Sequence, residues 1–278
     1  MQRLKVPMSA QLASSRSAIP PATPCDVYLE ELSRGKERVL LLDYDGTIAP
    51  FSAERDRAHP YPSVVELLDC IMSTCHTRVV LLSGRAALEV VPLFGQIPYP
   101  EIWGSHGVER LLPNGQYFVA EVSREARQSL AAAWQRLSDE GVSERAEQKP
   151  GAVALHWRGL NPTQIEAMKA TGYRAFARLA GKRLLLSEFD GGMELRVRGH
   201  SKGGVVRAIL AEHERQAAVA YLGDDNTDED AFRALNGRGF TVLVRPTYRP
   251  TAAHWWMRPP GELIAFLEKW IEACEGEA

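Results

Sequence analysis

Asp43 and Asp45 stand one residue apart where the apolar run Val39–Leu42 ends, and Gly46 and Thr47 follow. Side chains alternate faces along a strand, so the two carboxylates point the same way and Tyr44 points the other. Gly46 lets the backbone turn sharply there. Two acids held this close repel, and need a cation, a shared proton or separate roles. An aspartate at such a place also caps turns, so the pair alone leaves chemistry and turn-making both open. A second acidic group follows the run Val219–Leu222, at Asp224, Asp225 and Asp228. Five acids fall within residues 224–230, and they repel one another unless a metal compensates. The later ones suit a helix N-terminus, and Thr227 with Asp230 has the spacing of a capping box. Asp224 and Asp225 precede that cap.

Ser83 and Gly84 end a third apolar run, Arg78–Leu82, just before a predicted helix. A hydroxyl and a backbone N–H at a helix start can hold phosphate oxygens, and a serine there serves equally as a plain N-cap. Lys202 lies in the first turn of a helix opened by Ser201. A cation there opposes the helix dipole, so it is either solvated or beside an anion. Carboxylates, carbonyls and water suit a hard ion such as Mg²⁺, while Lys202 and Ser83 suit a phosphoryl group. With those in place, Asp43 can attack phosphorus to give an aspartyl-phosphate, and Asp45 can serve the leaving alkoxide and then water as acid and base.

The elements that must position these groups read as an α/β fold. Each motif sits at the end of an apolar strand or the start of a helix, so a doubly wound, mostly parallel sheet brings them to one edge, where such sheets bind ligands. A helix over 25–34 leads into the first strand. Pro62 is expected to start a helix with Val64, Leu68 and Ile71 on its apolar face, and the next strand completes a right-handed βαβ unit. Asn114-Gly115 marks a hairpin. From 123 to 197 the pattern changes to α-β-α-β-β and reads as an inserted α+β cap subdomain. The core is then 25–122 together with 198–278, and residues 1–24 form a loose tail. Within the insertion, Glu147 and Lys149 share a face of one extended stretch, His156 and Arg158 share a face of another, and Glu194 lies in its last strand. Such mixed acids and bases grip hydroxyl-rich ligands, and equally make a solvated sheet face with weak ion pairs. His106, between Gly104-Ser105 and Gly107, either approaches a ligand or packs in its loop.

The totals exclude several classes. The formal net charge is −2 over 278 residues, so no basic surplus points to nucleic acid or an anionic membrane. No apolar run approaches the ~18–20 residues of a membrane span. The cysteines, Cys25, Cys70, Cys75 and Cys274, form no C-x-x-C and no zinc spacing, which suits a reducing compartment; the chain is expected in the cytoplasm.

The four motifs, D-Y-D-G-T, S-G-R, K-G and G-D-D-x-T-D-E-D-A-F, resemble in type and order those of the haloacid dehalogenase superfamily of phosphatases. More narrowly, G-S-H-G-V-E at 104–109, E-x-K at Glu147/Lys149, H-x-R at His156/Arg158 and Glu194-Leu195-Arg196 are similar to the trehalose-6-phosphate phosphatase family. Ile48 replaces the usual leucine and Val197 a common proline. The resemblance implies Asp43 as nucleophile, Asp45 as acid/base, and Ser83, Gly84 and Lys202 on the phosphate. It implies Mg²⁺ held around Asp43, Asp45 (through its carbonyl), Asp224, Asp225 and Asp228. It puts Arg85, His106, Gly107, Glu147, Lys149, Arg158 and Glu194 on the substrate. The activity it implies is Mg²⁺-dependent hydrolysis of a small-molecule sugar phosphate, trehalose 6-phosphate, by a monomer. Another sugar phosphate as substrate, or a sugar phosphomutase with the same core, stays open.

Overall fold

The apolar runs become strands and the periodic segments between them become helices. The computed structural model describes residues 23–52, 54–95, 98–189 and 191–275. Of the tail expected over 1–24, residues 1–22 lie outside the described residues. Thr23 and Pro24 belong instead to α1 (Pro24–Arg34): Thr23 and Asp26 cap it reciprocally, and Pro24 suits its first turn. Then come β1 (Arg38–Asp43), α2 (Val64–Ser73), β2 (Arg78–Leu82) and α3 (Ala87–Val90). Pro62 does not start α2. Ser63 adopts left-handed backbone (φ 69°), and the Val64 N–H closes a turn onto the Tyr61 carbonyl at 3.1 Å, so the helix starts at Val64.

Three short strands follow, β3 (Glu101–Gly104), β4 (Glu109–Leu111) and β5 (Tyr117–Val119). The insertion comprises α4 (Arg124–Asp139), β6 (Ala146–Lys149), β7 (Ala152–His156), α5 (Pro162–Phe176), β8 (Leu184–Phe189) and β9 (Gly192–Val197). The chain returns through α6 (Lys202–Ala211), β10 (Ala218–Gly223), α7 (Glu229–Leu235), β11 (Phe240–Val244), β12 (Trp255–Met257) and α8 (Gly261–Glu275). No helix among the described residues is long and apolar enough to cross a membrane.

The larger sheet has eight strands in the order β12-β11-β10-β1-β2-β3-β4-β5. It is parallel from β12 to β3 and turns antiparallel at β4 and β5. β1 is central. Its side chains alternate between two cores, as burial on both faces requires: Leu40 and Leu42 pack with α1, α2 and α8, and Val39 and Leu41 pack with α6 and α7. β12, unforeseen in the sequence, pairs with β11 at the sheet's edge.

The second sheet is antiparallel, β6-β7-β9-β8. Val153, Leu155, Met193 and Leu195 form its core with α4 and α5. The opposite face is polar: register aligns Glu147, Ala154, Glu194 and Ser187 across the four strands. Alanine at 152 and 154 leaves that face open.

Close helix packing sets the height of Lys202, the first residue of α6. A Cβ on Gly203 would lie 2.5 Å from the Asp230 carbonyl oxygen and 2.8 Å from its carbon, both backbone atoms of α7. Gly203→Ala must therefore push α6 off α7. We expect it to lower stability by about 1–3 kcal/mol, the usual cost of overpacking, in urea denaturation; unchanged stability would refute this close approach.

Candidate active site

Four loops at the carboxyl ends of β1, β2 and β10 and at the start of α6 converge as doubly wound topology requires. Asp43 ends β1 and is 4% exposed. Its Oδ1 accepts from Lys202 Nζ at 2.5 Å and its Oδ2 from Thr47 Oγ1 at 3.1 Å. Lys202 also donates to Asp228 Oδ1 at 2.7 Å, and the Tyr221 hydroxyl donates to that same oxygen at 2.5 Å. Lys202 is therefore the buried partner of two acids, not a solvated lysine. Asp228 Oδ2 accepts from the backbone N–H groups of Asp224 (3.1 Å) and Asp225 (2.9 Å). The capping box expected between Thr227 and Asp230 is formed instead by Asp225 and Asp228, because a short 3₁₀ turn, Asn226–Asp228, precedes α7.

Oxygens of Asp43, Asp224 and Asp228 lie within 4.8 Å of one another. Burial pushes Asp43 up to about 7, Lys202 pulls the other way and Asp228 adds to the rise. Asp224 is held well above the usual carboxylate range by burial first and then by Asp43 and Asp228. Burial lowers the Lys202 pKa, but the two acids outweigh it and keep the ammonium charged. Three buried carboxylates thus share one ammonium. An all-oxygen cluster short of positive charge fits a hard divalent cation.

Asp45 stands outside this cluster. Arg85 grips it with both prongs, Nε to Oδ2 and Nη2 to Oδ1, each at 2.7 Å, and the guanidinium lies 5.5 Å from the Tyr44 ring centroid. Arg85, expected on the substrate, therefore orients Asp45 in this structure. Gly46 makes the turn between the acids, with φ +86°, and a Cβ there would collide with Asp224 and the Phe51 ring. Ser83 accepts from the Arg85 N–H at 3.1 Å, so its hydroxyl steadies the turn after β2.

The polar face of the second sheet covers these groups. Lys149 Nζ donates to the Gly84 carbonyl at 2.8 Å and pairs with Glu194 at 2.5 Å; His106 Nε2 lies 3.0 Å from the other Glu194 oxygen. Burial opposes the charge on Glu194, but Lys149 and His106 outweigh it and hold the carboxyl well below its usual range. His106 is pushed down by burial against the pull of Glu194. Glu147 pairs with His156 at 2.9 Å. Arg158 lies 4.9 Å from the Phe51 ring centroid and donates to the Ser52 carbonyl at 3.3 Å, a further tie between the second sheet's side and the larger sheet's loops.

A cleft of about 800 Å³ lies between the sheets. Asp43, Asp45, Lys202, Asp224, Lys149 and Glu194 face it, as do Gly84, Arg85, His106, Arg158 and Asp225. Ser83, Glu147 and Asp228 stand behind its wall. Gly107 is also off the wall: it packs on α6, where a Cβ would meet Val205 at 2.5 Å. Phe51 and Phe189 line the cleft and were not singled out in the sequence; Arg196, quoted there only within the Glu194-Leu195-Arg196 motif, lines it too. Phe51 sits in an irregular loop with no periodicity to mark it, whereas the alternation of Glu194 and Arg196 along β9 does carry a signal.

Sheet topology, the acid pair ending the central strand and the opposed lysine define a haloacid dehalogenase-like fold. A haloacid dehalogenase-like hydrolase from Bacteroides thetaiotaomicron shares the fold with a TM-score of 0.59 at 16% identity, over 87% of this chain and 100% of that one. The C-terminal domain of a trehalose-6-phosphate phosphatase from C. albicans gives 0.74 at 19% identity, over 92% and 99%. The chain belongs to the trehalose-phosphatase family, whose model matches residues 41–257. It is 31% identical over 261 residues to a trehalose-phosphate phosphatase of Mycobacterium avium, covering 87% of this chain; it spans 64% of that relative's length.

A cation seated among Asp43, Asp224 and Asp228 stabilises the folded state by mass action. Mg²⁺ or Mn²⁺ added to the EDTA-treated protein is expected to raise the Tm by several degrees, since a ligand at a hundredfold its Kd contributes about 2.7 kcal/mol. Asp224→Asn is expected to abolish most of that rise in calorimetry; an undiminished rise would place the cation elsewhere.

Proposed function

We propose that the chain hydrolyses trehalose 6-phosphate to trehalose and inorganic phosphate, with Mg²⁺, through an aspartyl-phosphate on Asp43. The reading rests on one observation above all. A polar sheet face carrying Lys149 and Glu194, with Arg158 in the turn just past β7, lies over the buried Asp43–Lys202 pair, so that one cleft offers sugar-gripping groups beside a phosphoryl site. Residues 123–197 then act as a cap on a core of 25–122 and 198–278.

An Asp43 oxygen attacks phosphorus and the bond to the sugar oxygen breaks. Asp45, oriented by Arg85, gives its proton to the leaving alkoxide. In the second step Asp45 takes a proton from water, the water oxygen attacks phosphorus and the Asp43 carboxylate departs, so the enzyme ends as it began. Lys202 holds Asp43 and offsets phosphate charge, with the Gly84 backbone N–H at the phosphate oxygens. Mg²⁺, held by Asp43, Asp224 and Asp228 with Asp225 and the Asp45 carbonyl beside them, would screen carboxylate from phosphate so that the two anions can meet. Uncatalysed phosphate-monoester hydrolysis is slow enough for enzymes to accelerate it by up to ~10²¹-fold, which suits a covalent route with several cations. Lys149, Arg158, Glu194 and His106 select the sugar, and Glu147 acts from behind the wall through His156, which lines the cleft.

Phosphate release from trehalose 6-phosphate, sucrose 6-phosphate, glucose 6-phosphate and mannose 6-phosphate tests this reading. We expect a strong preference for the first, loss with EDTA, and loss of at least a thousandfold in Asp43→Asn with an unchanged circular dichroism spectrum. Another preferred ester would discard the substrate and keep the chemistry. Release only with an added sugar bisphosphate would favour a phosphomutase.

A further inference from the structure

His106 sits on unusual backbone. Ser105 and His106 both have positive φ, 48° and 56°, a region that residues other than glycine seldom enter. The turn is tied to the loop after β2: the Ser105 N–H donates to the Arg85 carbonyl at 2.7 Å and the His106 N–H to the Ser83 carbonyl at 3.0 Å. The imidazole is pressed against Gly84, where a Cβ would lie 3.0 Å from the ring, and its Nε2 reaches Glu194 of the second sheet. Such geometry persists only where surrounding contacts over-determine it.

Glu109 supplies those contacts. Its side chain is buried at 1% exposure. One carboxylate oxygen accepts from the Ser105 hydroxyl; the other accepts from the Tyr117 hydroxyl at 2.5 Å and the Ala87 N–H at 3.3 Å. The three donors come from the turn, from β5 and from the start of α3. β5 leads directly into the insertion, and the Ala120 N–H returns to the Val108 carbonyl at 2.7 Å. We infer that Glu109 is a positioning residue for His106: its carboxylate fastens the strained turn that holds the imidazole against Gly84 and Glu194, and ties that turn to the strand entering the cap. Glutamine replaces it poorly: one neutral amide oxygen stands in for two charged acceptors, and its NH₂ meets the Ser105 hydroxyl only if that hydroxyl turns its own proton away.

The inference rests on the proposed role of His106 in sugar selection, so two readouts separate them. The first is a double-mutant cycle of Glu109→Gln and His106→Ala, run on whichever sugar phosphate the wild type prefers and on p-nitrophenyl phosphate. Glu109→Gln is expected to lower kcat/KM for the sugar phosphate at least tenfold, mainly through KM, with less than a twofold change on the aryl ester. In the His106→Ala background it is expected to add less than twofold. Equal loss on both esters, or a full loss without His106, overturns the inference. Tyr117→Phe removes one donor at a residue 40% exposed and serves if Glu109→Gln does not fold; a two- to fivefold, His106-dependent loss is expected, and none refutes it. The second readout needs no turnover: the imidazole ¹H–¹³C signals of His106 shift in Glu109→Gln (or Tyr117→Phe), and unchanged signals overturn the positioning role whatever the substrate.

Discussion

The buried ammonium of Lys202 is the constraint on which the rest of the site depends. It lies between Asp43 and Asp228, and removing the lysine from such a buried set costs about 3–5 kcal/mol because it leaves the acids unpaired. Asp43 ends β1, Asp228 follows β10, and Lys202 starts α6. The contact therefore requires that β1 and β10 be neighbours and that α6 pack tightly on α7. Parallel pairing of β1 with β10 and the missing side chain of Gly203 meet both requirements. Three carboxylates around one ammonium remain short of positive charge, a deficit that a divalent cation would relieve.

The two acids of the D-x-D turn are separated by their surroundings rather than by their strand. Asp43 is buried beside Lys202, whereas Asp45 is partly exposed and clamped by Arg85. Two like groups thus meet different fields and need not act alike; a cation beside Asp43 would hold it ionised for attack. Above them, Lys149 and Arg158 reach carbonyls of the larger sheet's loops. The second sheet is held over the larger sheet's edge by side chains that also line the cleft, so the same residues cover the Asp43–Lys202 pair and face the space above it.

Much of this was legible along the chain because it depends on local alternation. The V-L-L-L run before Asp43 had to be a buried strand, and a period of two placed Asp43 and Asp45 together. The same period placed Glu147 with Lys149, and the helix start at Lys202 followed from Ser201. What was misread involved competition between nearby alternatives of similar energy. Asp225 took the cap expected of Thr227, since a 3₁₀ turn moved the helix start, and Ser63 displaced Pro62 from the start of α2. Gly107, expected on the ligand, packs on Val205.

The sequence by itself determined the strand ends, the acid pairs and the break in pattern at 123–197, because each arises from neighbours within a few residues. Tertiary structure alone decided the partners. Arg85 lies forty residues from Asp45, Glu194 far from His106, and Arg158 far from Phe51. No periodicity encodes such pairs: burial makes an unpaired charge costly, and only the folded arrangement of the two sheets shows which opposite charge or ring lies close enough to relieve it.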